Sequence, residues 1–125
     1  MTAMARHLEI TLTPSYLHAK ASGLASPGDA IAVWAEINRA CLKNKINRIL
    51  AEVHVPGPVP VTDLFQFGEY VSTLRWPQGI AIAVVCDRAM LADFQFADNV
   101  IANRSSIATK ILDDVQEAER WLTSQ

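Results

Sequence analysis

The stretch Ile80-Ala81-Ile82-Ala83-Val84-Val85-Cys86-Asp87 decides the fold. Its apolar run, Ile80 to Cys86, is far shorter than the ~20 residues of a membrane span. It shows no alternation of apolar and polar residues, the pattern of a strand covered on both faces. Such a strand needs helices above and below it, which is an α/β layer architecture. Asp87 closes the run and is expected to cap a third helix, with Met90, Phe94, Ala97 and Ile101 along its buried side.

Upstream, Ile46–Val55 is rich in aliphatic and β-branched residues and reads as a strand, ended by Pro56-Gly57-Pro58-Val59-Pro60. A second helix follows. Thr62 or Asp63 is its expected cap, Gln66 stands three residues after Asp63, and Leu64, Phe67, Gly68, Val71 and Leu74 form its buried face. Trp76-Pro77-Gln78-Gly79 is a loop. Further back, Ala30, Val33, Trp34, Ile37 and Cys41 recur at spacings of three and four, the stripe of a first helix running to about Lys43. Ser26, Pro27 and Asp29 make its N-terminus, and Asn44 is its expected C-cap. Before it, Leu8–Leu12 and Tyr16–Ala21 alternate with period two around Thr13-Pro14-Ser15, a hairpin. Downstream, Ser106–Leu112 is a last strand. Asp113, with Gln116 three residues on, is the expected cap of a terminal helix docked by Ala118, Trp121 and Leu122. The expected order is ββαβαβαβα: one α/β domain over residues 1–125, with a mixed, mainly parallel sheet and helices packed on it.

Composition narrows the partners. The chain has 125 residues, 50% hydrophobic and 19% charged, with a net charge of −2. A pI near 5.8 and a mean hydropathy of +0.15 argue against a disordered chain. Lys and Arg are scattered. The densest group, Arg39, Lys43, Lys45 and Arg48, lies at a helix end, where basic residues answer the helix dipole. No nucleic-acid partner is therefore expected. Met1–Arg6 has no apolar stretch of signal-peptide length, so a soluble, cytoplasmic protein is expected. Cys41 and Cys86 read as small core residues. His7, His18 and His54 have no paired-ligand spacing, and no glycine-rich phosphate loop or nucleophile elbow occurs. No metal and no cofactor are expected.

Three local patterns resemble a known family. Gly23–Asp29 resembles the approach into the first helix of the SpoIIAA-like group of the STAS (sulphate transporter and anti-sigma factor antagonist) superfamily, which is related to the CRAL-TRIO lipid-binding fold. Ile80–Asp87 resembles its central strand and helix cap, and Ile111–Leu122 resembles its closing strand, acidic cap, Glu-Ala and Trp-Leu. The resemblance implies a STAS-like regulatory or interaction domain. Antagonists of this kind carry a phosphorylatable serine between the third strand and second helix. Here Glu52–Asp63 contains no serine, and Thr62 is its only hydroxyl, so the phosphoserine switch is missing.

Ligands of open α/β sheets gather beyond the carboxyl ends of the parallel strands. That rim is expected to bring together His54, Thr62, Asp87 and Arg88. His54 could work as an acid or base only beside a second positioned group, for which Asp63 and Asp87 are the candidates. Phe65 and Phe67 cannot both face the side of Leu64 and Gly68, so at least one aromatic is left for a partner surface or a pocket. The leading expectation is a non-catalytic interaction module contacting a protein partner through the second helix. The alternative is a small apolar or lipid-like ligand held between the second and third helices by Phe65, Phe67, Met90 and Phe94. A small enzyme using His54 ranks last. The uncovered first strand, with Glu9 as its only charge between Leu8 and Leu12, and the apolar surface at Phe65 and Phe67 predict a homodimer that buries one of the two by two-fold symmetry.

Overall fold

A computed structural model describes residues 7–24, 26–55, 58–105 and 107–125. Five strands, β1 (His7–Leu12), β2 (Leu17–Ser22), β3 (Arg48–Val53), β4 (Ala81–Val85) and β5 (Ala108–Leu112), form one sheet in the order β1-β2-β3-β4-β5. The helices are α1 (Pro27–Asn44), α2 (Val61–Thr73), α3 (Leu91–Arg104) and α4 (Val115–Thr123). β1 is antiparallel to β2, and β2 to β5 are mutually parallel. The protein is therefore α/β with a mixed sheet, as its periodicities imply. Met1–Arg6, Ala25 before the first helix, Pro56-Gly57 after β3, and Ser106, the expected start of the last strand, lie outside the described residues.

Strands added one after another in a single direction, each through a right-handed crossover, put the crossover helices on one face. The core divides accordingly. Leu17, Ala19, Ile49, Ala51, Val53, Ile82 and Val84 pack with Val33, Trp34, Ile37, Val71 and Ile101 from α1, α2 and α3. The alternate strand positions, Leu50, Ala81, Ala83 and Val85, pack with Ala118 and Leu122 of α4. All five residues of β4 are buried because α4 covers the side that the other helices leave open. Nearer β1 that second face is uncovered and polar. The register sets Glu9 beside Lys20 and Lys20 beside Glu52, an alternation of charge across three strands.

Local chemistry fixes the joints. The Thr13 hydroxyl accepts the Ser15 and Tyr16 amides at 3.2 and 3.0 Å and closes the hairpin. Ser26 caps α1 as expected, its Oγ accepting the Asp29 amide at 3.2 Å. Four caps depart from expectation. α1 ends on Lys45 in the left-handed region (φ 55°), while the Asn44 amide turns back to donate to the Ala40 carbonyl at 2.8 Å. α2 begins before either Thr62 or Asp63: the Pro60 carbonyl accepts from the Asp63 and Leu64 amides at 3.0 and 3.1 Å, so no side-chain cap forms. Asp87 precedes a single 3-10 turn, Arg88–Met90, rather than α3, and makes no capping bond. α4 is capped by Asp114, whose Oδ1 accepts the Glu117 amide at 3.0 Å, because Asp113 is held by Arg88 at 3.0 Å.

Gly68 sits where α2 and α3 touch. A Cβ there would lie 2.9 Å from the Val100 Cβ and 3.0 Å from the Ala97 carbonyl oxygen. Only a residue without a side chain lets the two helices approach so closely. Among the described residues, no helix is long and apolar enough to cross a membrane.

Candidate functional site

The close seam between α2 and α3 lies over a sheet face that these helices do not fill. A cavity of about 340 Å³ opens between α1, α2, α3 and the sheet. Its walls are Trp34 of α1, Phe67 and Val71 of α2, Phe94 and Ile101 of α3, and Val53, Val84 and Ile111 of the strands. Trp34 meets Phe67 edge-on at 6.0 Å, so the aromatic wall is braced. Beyond the strand ends, the exposed Pro58 and Pro60 also line it, which brings the cavity to the surface at the start of α2.

Polar lining is sparse. Ser26 and Asp63 stand near the two helix N-termini, and Asp98 and Thr109 face each other from α3 and β5. The Thr109 hydroxyl donates to Asp98 Oδ1. Burial pushes the Asp98 carboxyl above its ordinary 3.8. A signal for it was present: Phe94, Ala97, Asp98 and Ile101 stand at i, i+3, i+4 and i+7, so one carboxylate falls on an apolar stripe.

The residues expected to form the site separate. Phe67 and Phe94 do line the cavity. Phe65 points away from it, 39% exposed, with the Arg104 guanidinium 5.4 Å from its ring centroid. One aromatic thus faces inward and one outward, as their spacing requires. Met90 is buried beneath the start of α3 and is not among the described lining residues. At the rim His54 Nδ1 lies 3.6 Å from Asp87 Oδ1, both side chains mostly exposed. That separation is beyond hydrogen-bond length, and water screens the pair. Arg88 turns to Asp113, and Thr62 is exposed on the first turn of α2. His54, Thr62, Asp87 and Arg88 are therefore rim residues, and none is among the described lining residues.

The uncovered sheet face holds a second polar cluster that the sequence did not reveal. His18 Nε2 lies 2.5 Å from Glu52 Oε2, and the Tyr16 hydroxyl donates to Glu119 Oε2 at 2.6 Å. The Glu119 hydrogen bond, with burial, raises the Tyr16 phenol to about 12. The Tyr16 and His18 rings meet edge-on at 6.2 Å. Alternation places His18 and Glu52 on a common face, but only the strand order makes them neighbours. This cluster ties α4 to the hairpin, and an open cleft lies beside it, lined by Thr13, Tyr16, Glu119 and Arg120.

Among the described residues, no group of three His, Cys, Asp or Glu side chains converges as metal ligands would. In comparison with known proteins, the chain matches no family model, no curated protein and no solved structure.

Proposed function

We propose that this chain is a non-catalytic domain that binds a small, predominantly apolar molecule between its sheet and helices α1 to α3. The cavity carries this reading. The cavity reaches the surface beside Pro58 and Pro60, where water can enter, but each water needs several polar partners and these walls offer few. An apolar molecule matches such walls better, and pockets from about 300 Å³ upward with sparse polar groups are the usual form of such sites. At roughly 30 Å³ per water-sized group, this one holds on the order of ten heavy atoms.

An antiparallel hairpin leading into four parallel strands supports the STAS-like reading of the sequence. With no serine between β3 and α2, the ligand rather than a phosphoryl group is the input of such a module. Native mass spectrometry tests the proposal directly, because a co-purifying small molecule or saturable uptake of decan-1-ol is expected. At about a hundredfold excess over Kd the alcohol should stabilise the fold by about 2.7 kcal/mol, raising Tm by about 10 °C. A clean protein mass with no thermal shift would contradict it.

A second reading keeps the protein partner. Phe65 and Phe96 are 39% and 38% exposed, and Val61 is 60% exposed. These residues lie on α2 and α3, whose opposite sides wall the cavity, so ligand and partner could be read by the same two helices. A homodimer through the free side of β1, where Leu12 is 50% exposed, belongs to this reading. Light scattering at twice 13.7 kDa would support it, and a monomer mass throughout would remove it.

A further inference from the structure

The charges around the cavity are all of one sign. Among the described lining residues the ionisable groups are Asp63 and Asp98, with no Lys, Arg or His. The helix N-termini at the opening do not offset this. α1 begins with Pro27, which has no N–H, the Ser26 hydroxyl takes the Asp29 amide, and Asp29 sits in the first turn. α2 begins after Pro60 and carries Asp63 in its first turn. The positive dipole ends that would draw an anion are already answered by carboxylates.

Asp98 faces the cavity from α3, one helical turn beyond Phe94 and therefore on the same side of the helix. Thr109 holds one of its carboxylate oxygens in place. Trp34, Phe67 and Phe94 line the same cavity, and aromatic side chains attract cations at their ring faces. Resting on the apolar-ligand reading, we propose that the cavity selects a cationic amphiphile: an apolar chain or ring system of about ten heavy atoms bearing one ammonium group that pairs with Asp98. Fatty acids and phosphate-headed lipids are disfavoured, because either would bring a second negative charge beside Asp98 with no cation among the described lining residues to meet it. Burial also raises the affinity of Asp98 for a proton, as expected of a carboxylate short of water.

Isothermal titration at neutral pH with decylamine, decan-1-ol and sodium decanoate separates the possibilities, on the wild-type chain and on Asp98→Asn. Asn retains an oxygen to accept the Thr109 hydroxyl and removes the charge. Decylammonium is expected to bind about tenfold or more tighter than decanoate, the worth of one charge-assisted hydrogen bond. Asp98→Asn should erase most of that preference of decylammonium over decanoate. Decanoate binding as well as decylammonium, or a preference untouched in Asp98→Asn, overturns the charge assignment while decan-1-ol binding keeps the apolar site. Failure of all three probes overturns both. The wild-type headgroup series needs no variant, so the inference is tested even if Asp98→Asn is poorly folded.

Discussion

The two faces of the sheet are built from alternate residues of the same strands and end in opposite states. On the α4 side, small residues meet large ones: Ala81, Ala83 and Ala118 pack with Leu50 and Leu122, both fully buried. On the other side, three helices carrying Trp34, Phe67 and Phe94 enclose about 340 Å³ of space. Bulk does not make a core solid. A helix packs closely where small residues let it descend, as α4 does on Ala81 and Ala83. Large aromatics line the cavity between these helices and the sheet, while α2 and α3 approach each other closely at Gly68. One face is closed by small residues and the other encloses a cavity.

This contrast breaks first under truncation and filling. Leu122→Ala removes a fully buried side chain from the solid face and should cost ~2–5 kcal/mol in urea denaturation. Ala30→Leu adds volume at the lining of the cavity and should cost under about 1 kcal/mol, since it need not displace packed atoms, while weakening decan-1-ol uptake. Equal costs for the two would mean that the faces are packed alike. Gly68→Ala comes next. Its methyl group meets the Ala97 carbonyl and Val100, so it should destabilise by ~1–3 kcal/mol although Ala is the better helix former.

A smaller effect appears at high pH. Burial pushes the Cys41 and Cys86 thiols from 9.0 to about 11, on the stripe of α1 and beyond the end of β4. Groups whose pKa is raised by folding stabilise fully below the unfolded value and lose that contribution as pH rises through the folded one. The denaturation midpoint should therefore hold up to about pH 9 and fall towards pH 11, and both thiols should resist disulfide reagents until the chain unfolds. A thiol that reacts at neutral pH in the folded chain would contradict this. The smallest effect concerns Lys45, whose left-handed φ of 55° suits glycine: Lys45→Gly should stabilise by ~0.5–1 kcal/mol, read as a rise in Tm.

Much of the architecture was legible because it rests on periodicity. Ile80–Cys86 revealed its double burial without alternation, and β2 revealed its single covered face through Leu17, Ala19 and Ala21. Caps were harder, since adjacent acids compete. Asp113 and Asp114 are equivalent on paper, and Arg88, distant in sequence, takes the first and leaves the second to α4. The rim pair His54 and Asp87 was foreseeable from the strand-end rule, and Phe67 and Phe94 from helix spacing. A cleft between the second and third helices was foreseeable from those two aromatics, but not its extent towards Trp34 and the strands, because a void leaves no residue of its own in the sequence. Its polar trace is Asp98 on an apolar stripe. Asn38 on the stripe of α1 looks similar but is satisfied structurally, its amide donating to the Arg75 carbonyl at 2.5 Å. Only the surroundings distinguish the two.

The central claim is that the three-helix face holds an apolar ligand, and NMR of the folded chain titrated with decan-1-ol tests it most directly. Saturable one-to-one shifts are expected at Trp34, Phe67, Phe94 and Ile111, with Ala118 and Leu122 unmoved. Absence of saturation, or shifts confined to the outward Phe65 and Phe96, would contradict the account.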